Sequence, residues 1–158
     1  LLDALAGAEA LDGDGVAAIL RNFAVDPGEA PLAAHRAAID RCFSGDSVED
    51  ILARLAAEDG DWGRAQIETL STKSPTALKV TFRQLRLGAR IESIAEIMAM
   101  EYRLADRSFR GHDLFEGIRA VVIDKDGAPK WDPTTLDAVS DADVDEYFVP
   151  VAGEPTFG

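Results

Sequence analysis

The side chains that most often do chemistry are scarce in this chain, and each has a structural use beside its chemical one. Two histidines, His35 and His112, and one cysteine, Cys42, stand among 29 acidic and 16 basic residues. Histidine titrates near neutral pH and serves as acid, base or metal ligand. His112 and Glu116, four apart, would reach one ion from one helical face, but two donors without a third nearby do not make a zinc site. Placed between Gly111 and Asp113 at a helix start, His112 is better suited to bonding a loose backbone group. His35 falls on an apolar helical face, the setting of a core or boundary histidine. Cys42 has no activating neighbour in sequence and reads as a buried structural thiol. No Gly-rich phosphate loop and no nucleophile elbow is present. The residues therefore assign no catalytic group and no metal site.

One charge pattern rises above this background. Lys79, Arg83, Arg86 and Arg90 are spaced four, three and four apart, which aligns four cations along one helical stripe, with Lys73 just upstream. Such a stripe is either a solvated face paired with carboxylates or a surface for a phosphorylated ligand or an acidic partner. The pattern leaves both open.

Composition narrows the classes. A net charge of −13 argues against a nucleic-acid binder and against general affinity for anionic membranes. At 158 residues with 47% hydrophobic content, the chain can bury a real core. A lone cysteine forms no internal disulfide, so the expected setting is cytoplasmic, in a bacterium, or another reducing compartment. No apolar run reaches the length of a membrane span. The chain opens without methionine, already in helical register, and is expected to be a segment of a longer protein.

The elements that would position these residues are helices. Ile91 to Arg110 is predicted to be the longest, with Ile91, Ile94, Met98, Tyr102, Ala105 and Phe109 along one face and Ile97, Met100 and Leu104 beside them. That predicts a hub buried on more than half its circumference. Around it, helices are expected over Leu1–Ala10, over 15–23 with Asp14 as cap, over 31–43 opened by Pro31, and after Ser47 with an acid at the third position. Further helices are expected over 62–72, over 75–87 with Ser74-Pro75 as cap and first residue and Gly88 as terminator, and after Asp113 through Val122. A last short one is expected to follow Ser140, capped with Asp143, before a loose tail from Pro150 to Gly158. The run 120–123, AVVI, is the one β-like stretch, and it continues a capped helix. The predicted class is all-α, a bundle of about eight helices.

The stretch SPTALKVTFRQL, followed by MEYRL and RGHDLFEGIRAVVIDKDGAPKWDP, resembles the C-terminal part of the 3-hydroxyisobutyryl-CoA hydrolases, within the crotonase (enoyl-CoA hydratase/isomerase) superfamily. The likeness is dense from Ser74 to Pro133 and includes Glu101 and the run Glu116-Gly117-Ile118-Arg119-Ala120. It implies three regions: 1–73, a helical segment following a core that is missing here; 74–133, the crotonase-type C-terminal helical region; and 134–158, a short helix and tail. It also implies an N-terminal ββα spiral core elsewhere in the same protein, carrying the oxyanion hole and the catalytic acids. The implied activity is hydrolysis of a β-hydroxyacyl-CoA thioester in valine breakdown. Acyl-CoA would be a substrate, with no cofactor, and subunit contacts forming a homo-oligomer are a further implication. Relatives place an aromatic and a lysine near the CoA adenine; here those positions hold Val121 and Asp124, so Lys125, the next residue, is the candidate CoA contact. By that reading these residues are inert alone. Two alternatives stay open: an enoyl-CoA hydratase or isomerase, and a stand-alone helical module that docks an acidic partner through the basic stripe.

Overall fold

Side-chain caps set most of the helix starts. The computed structural model describes residues 1–8 and 12–156, and every regular element among them is helical. The expected helix end at Ala10, the break beginning at Leu11, and the last two residues of the expected tail, Phe157 and Gly158, lie outside the described residues.

Residues 1–37 form one unit. It holds α1 (Leu2–Ala6), α2 (Gly13–Phe23) and a 3₁₀ turn over Ala33–His35. Asp12, not Asp14, caps α2, its carboxylate accepting from the Gly15 amide at 2.8 Å. Pro31 does not open a long helix; the 3₁₀ turn precedes α3 (Arg36–Cys42), and His35 sits half-buried at the end of that turn. None of the described residues up to Ala37 is buried.

Residues 38–158 form the second unit, with two apolar clusters. Its helices are the rest of α3, α4 (Val48–Ala57), α5 (Asp61–Ser71), α6 (Pro75–Gly88), α7 (Ile94–Arg110), α8 (His112–Ile118) and α9 (Asp141–Glu146). Cys42, Ile51 and Leu55 make one cluster, closed by Trp62, Ile67, Leu70 and Phe82. Here α4 and α5 approach so closely at Gly63 that a Cβ would lie 2.4 Å from the Leu55 carbonyl oxygen. Val80, Met100, Leu104, Val139 and Val144 make the other cluster, with Tyr147 and Phe148 against it. Helix α6 serves both, through Phe82 on one side and Val80 on the other. Ser74 and Ser140 cap α6 and α9 as the sequence predicts, and Ser140 with Asp143 forms the full capping box.

Helix α7 departs from expectation in two further ways. Helix α7 begins at Ile94, because Ser93 caps it by accepting from the Glu96 amide. Its burial is also narrower than expected: Met100 and Leu104 are buried, while Ile94 (79% exposed), Met98 (49%) and Phe109 (65%) are open to solvent. The longest apolar stripe of the hub faces outward. The run 119–123 is a π-helical turn continuing α8, so the β-like stretch forms no strand.

Candidate functional site

The segment 110–133 forms a clasp, with a long loop closed back onto the helices that carry it. Arg119 is its centre. Its guanidinium forks onto Glu116 at 2.8 and 2.9 Å, while Nη1 reaches both Asp124 and Asp126 at 2.7 Å. Glu116 also accepts from the Lys130 amide at 2.7 Å. That fork, together with the amide, holds the Glu116 carboxyl down at about 2 and pushes Arg119 up. His112 donates through Nε2 to the Lys130 carbonyl at 2.9 Å, a backbone-bonding role rather than a metal one. Asp113 accepts from the Asp132 amide at 2.9 Å and from the Ser74 hydroxyl, which ties the loop to the start of α6. Trp131 donates to the Thr72 carbonyl at 3.0 Å and lays its ring over Gly117, where a Cβ would meet it at 3.3 Å.

Asp113 therefore does not precede α8 as expected but lies within its first turn, and no side chain caps the helix. Gly111 precedes α8, and the carboxylates of Asp113 and Glu116 are turned to the loop. Sequence reasoning missed Arg119 and Trp131. The three-residue spacing of Glu116 and Arg119, that of a helical ion pair, is the legible signal for the first. Nothing local signals that Trp131 returns to α5 and α8.

Beside the clasp, α6, α7 and α8 enclose a cleft of about 640 Å³. Val80, Leu104, Ala105, Leu114, Ile118 and Trp131 give it mostly apolar walls, with Ser74, Asp113 and Tyr147 among its polar groups. Burial, and then the charge of Asp113, push the Tyr147 phenol up. The carboxylates here are held by internal donors, and no group of three or more metal-ligating side chains occurs among the described residues.

The remaining sequence candidates disperse. Lys79 bridges Glu49 at 2.8 Å and the Val139 carbonyl at 3.1 Å, and Arg83 pairs with Asp145 at 2.6 Å. Arg86 donates to the Gly45 carbonyl with its charge over the Phe82 ring, and Arg90 is exposed beyond the end of α6. Lys125 is exposed, at φ 54, between the two aspartates that Arg119 holds. Cys42 is buried, its thiol 3.7 Å from Glu58; burial and that carboxylate push it up, as suits an unreactive thiol.

The family model described as enoyl-CoA hydratase/isomerase matches residues 1–148. The chain belongs to that family. Within it, the chain is 51% identical over 111 residues to the mitochondrial 3-hydroxyisobutyryl-CoA hydrolase of Danio rerio, covering 70% of this chain and 29% of that protein. It is 41% identical over 117 residues to the Homo sapiens enzyme of the same name, covering 74% and 30%. The resemblance to this branch is thus borne out, and the chain spans under a third of the curated relatives it matches. A carnitinyl-CoA dehydratase structure from Mycobacterium thermoresistibile superposes with TM-score 0.84 at 43% identity, covering 91% of this chain and 41% of the other. An enoyl-CoA hydratase structure from Rhodobacter sphaeroides gives 0.72 at 32% identity, covering 89% and 43%. The expected bacterial cytoplasmic setting is corrected by the curated relatives, which are mitochondrial proteins. A lone buried thiol separates reducing from oxidising surroundings and does not tell one reducing compartment from another.

Proposed function

We propose that this chain is the C-terminal lid-and-assembly portion of an acyl-CoA thioester hydrolase of the 3-hydroxyisobutyryl-CoA type. It is inert alone and is completed by a crotonase core elsewhere in the same protein. The carrying observation is the 41–51% identity to such hydrolases over 29–30% of their length. Thioester hydrolysis needs donors aimed at the developing oxyanion and a carboxylate able to move a proton. In the clasp, Glu116 and Asp113 already accept internal hydrogen bonds, and the low pKa of Glu116 makes it a poor base. The chemistry then belongs to the core, and the acyl-CoA is substrate with no cofactor. Lys125 is the residue proposed to approach the CoA, and Arg90, exposed just beyond α6, is the cation of the stripe best placed for a phosphate or an acidic partner.

A second reading, hydration or isomerisation of an enoyl-CoA, draws support from the two similar solved structures, a carnitinyl-CoA dehydratase and an enoyl-CoA hydratase. Assaying the full-length protein separates the two. The expected result is release of free CoA thiol from 3-hydroxyisobutyryl-CoA, with crotonyl-CoA left unhydrated. Hydration of crotonyl-CoA without thiol release would favour the second reading. Thiol release by residues 1–158 alone would overturn the lid assignment.

A further inference from the structure

The clasp turns its acids inward and its lysines outward. All four carboxylates of residues 112–130 accept from internal donors: Asp113 from Ser74 and the Asp132 amide, Glu116 from Arg119 and the Lys130 amide, and Asp124 and Asp126 from Arg119. Lys125 and Lys130 are exposed, and neither has an ion-pair partner among the described residues. A lysine flanked by two aspartates would ordinarily share their charge. Here Nη1 of Arg119 takes both aspartates, each at 2.7 Å, and leaves the Lys125 ammonium free. The turn that carries Lys125 is also tied to Arg119. The Arg119 carbonyl accepts from the Asp124 amide at 2.8 Å, and its Nη2 donates to the Ala128 carbonyl at 3.3 Å. Asp126 accepts from the Ala128 amide at 2.9 Å, and the Gly127 amide donates to the Ala120 carbonyl at 3.1 Å. Lys125 lies within these bonds at φ 54, and it is the one non-glycine residue at positive φ among the described residues. A side chain in that region persists only where its surroundings hold it, and such positions gather at ligand contacts.

Resting on the reading of Lys125 as the contact to CoA, we infer that Arg119 is a positioning residue for substrate binding. It withdraws Asp124 and Asp126 and fixes the turn, so that Lys125 meets a phosphate of the CoA as an unpaired cation. A phosphate oxygen takes a charge-assisted hydrogen bond from an ammonium, and a carboxylate beside that ammonium would compete for it. The contact is made far from the thioester bond, so it contributes to binding and not to the chemical step.

Two thioesters of the same acid separate the phosphates from the rest of the substrate. 3-Hydroxyisobutyryl-CoA carries them and 3-hydroxyisobutyryl-pantetheine lacks them. The quantity read on the full-length protein is the ratio of the two KM values, pantetheine ester over CoA ester. Lys125→Gln is expected to lower that ratio about tenfold, through KM for the CoA ester rather than through kcat. Arg119→Lys keeps a cation at Glu116 but cannot fork onto Glu116, Asp124 and Asp126 together. It is expected to lower the ratio likewise, with no further fall when Lys125→Gln is added. Adding Asp124→Asn and Asp126→Asn to Arg119→Lys is expected to restore the ratio, because no carboxylate then competes for Lys125. A loss shared equally by both esters, or a ratio that the two asparagines do not restore, makes Arg119 purely structural and overturns the inference. So does an unchanged ratio in Lys125→Gln. Release of thiol from neither ester by the unmodified protein would strike the proposed function instead. Calorimetric titration with CoA and with pantetheine then reads the same variants, and the same ratio of affinities decides the inference.

Discussion

Glu116 shows how one carboxylate can hold a long loop onto the helix that carries it. Its carboxylate is shared between the Arg119 fork and the Lys130 amide, so the charged form is strongly preferred in the folded state. The folded value is about 2 against an ordinary 4.5. A depressed carboxylate contributes stability that is fully present above the ordinary value and is lost as pH falls from 4.5 towards 2. Glu116→Gln is expected to lower the thermal unfolding midpoint at neutral pH and to make its fall between pH 4.5 and 2 shallower than in the unmodified protein. The slope does not vanish, since Asp126, Asp143 and Glu154 are also held low by their donors. Identical acid profiles for the two proteins would show that the fork contributes nothing. Arg119→Ala is expected to destabilise more than Glu116→Gln, because it leaves Glu116, Asp124 and Asp126 facing one another without a cation. At this scale the sequence shows the charges and their spacing. The return of Trp131 to Thr72, 59 residues away, depends on tertiary closure that no local pattern encodes.

Helix α6 was legible because its signals are local. A serine cap followed by proline fixes its start whatever surrounds it. Ser74 is also buried, accepts from the Ala77 amide at 3.0 Å and donates to Asp113, so it both starts α6 and anchors the clasp. Ser74→Ala is expected to cost about 1–2 kcal/mol in urea unfolding, at the upper end for a lost cap because Asp113 also loses a donor. A change well under that figure would mean that Asp113 finds another partner. Gly63 tests the neighbouring pair of helices. With 2.4 Å between a built Cβ and the Leu55 carbonyl, Gly63→Ala must push α4 from α5 and is expected to cost about 1–3 kcal/mol by the same measurement. An alanine without effect would show that the crossing yields. Helix α7 was legible except for its first residues, and misleading in how much of its surface is covered. Periodicity finds its apolar residues, yet the choice between Met100 with Leu104 and Ile94 with Met98 as the inner face is made by α6 and α9, which sequence spacing does not locate.

At the scale of the whole molecule, burial is unevenly shared between the two units. Residues 38–158 hold both apolar clusters, whereas none of the described residues up to Ala37 is buried, and Leu2, Val25 and Leu32 stand largely in solvent. A helix whose apolar side lacks a cover keeps little beyond its own propensity and caps, and an isolated helix of 11 residues such as α2 is marginal in water. Local opening in such a region costs little, while opening near Val80 or Leu55 requires breaking a cluster. Trypsin acting on the 158-residue chain is therefore expected to cut after Arg21 and Arg36 first, about tenfold or more faster than after Arg83 or Arg103, which are tied to Asp145 and Glu154. A resistant product beginning at Ala37 is the expected readout by mass spectrometry. Cleavage at all four sites with one rate would mean that residues 38–158 have no stable core of their own. In the full-length protein the cuts after Arg21 and Arg36 are expected to slow, because a body that covers apolar side chains left bare here removes the low-cost opening that the protease uses. Unchanged rates there would show that residues 1–37 stay uncovered in the longer protein.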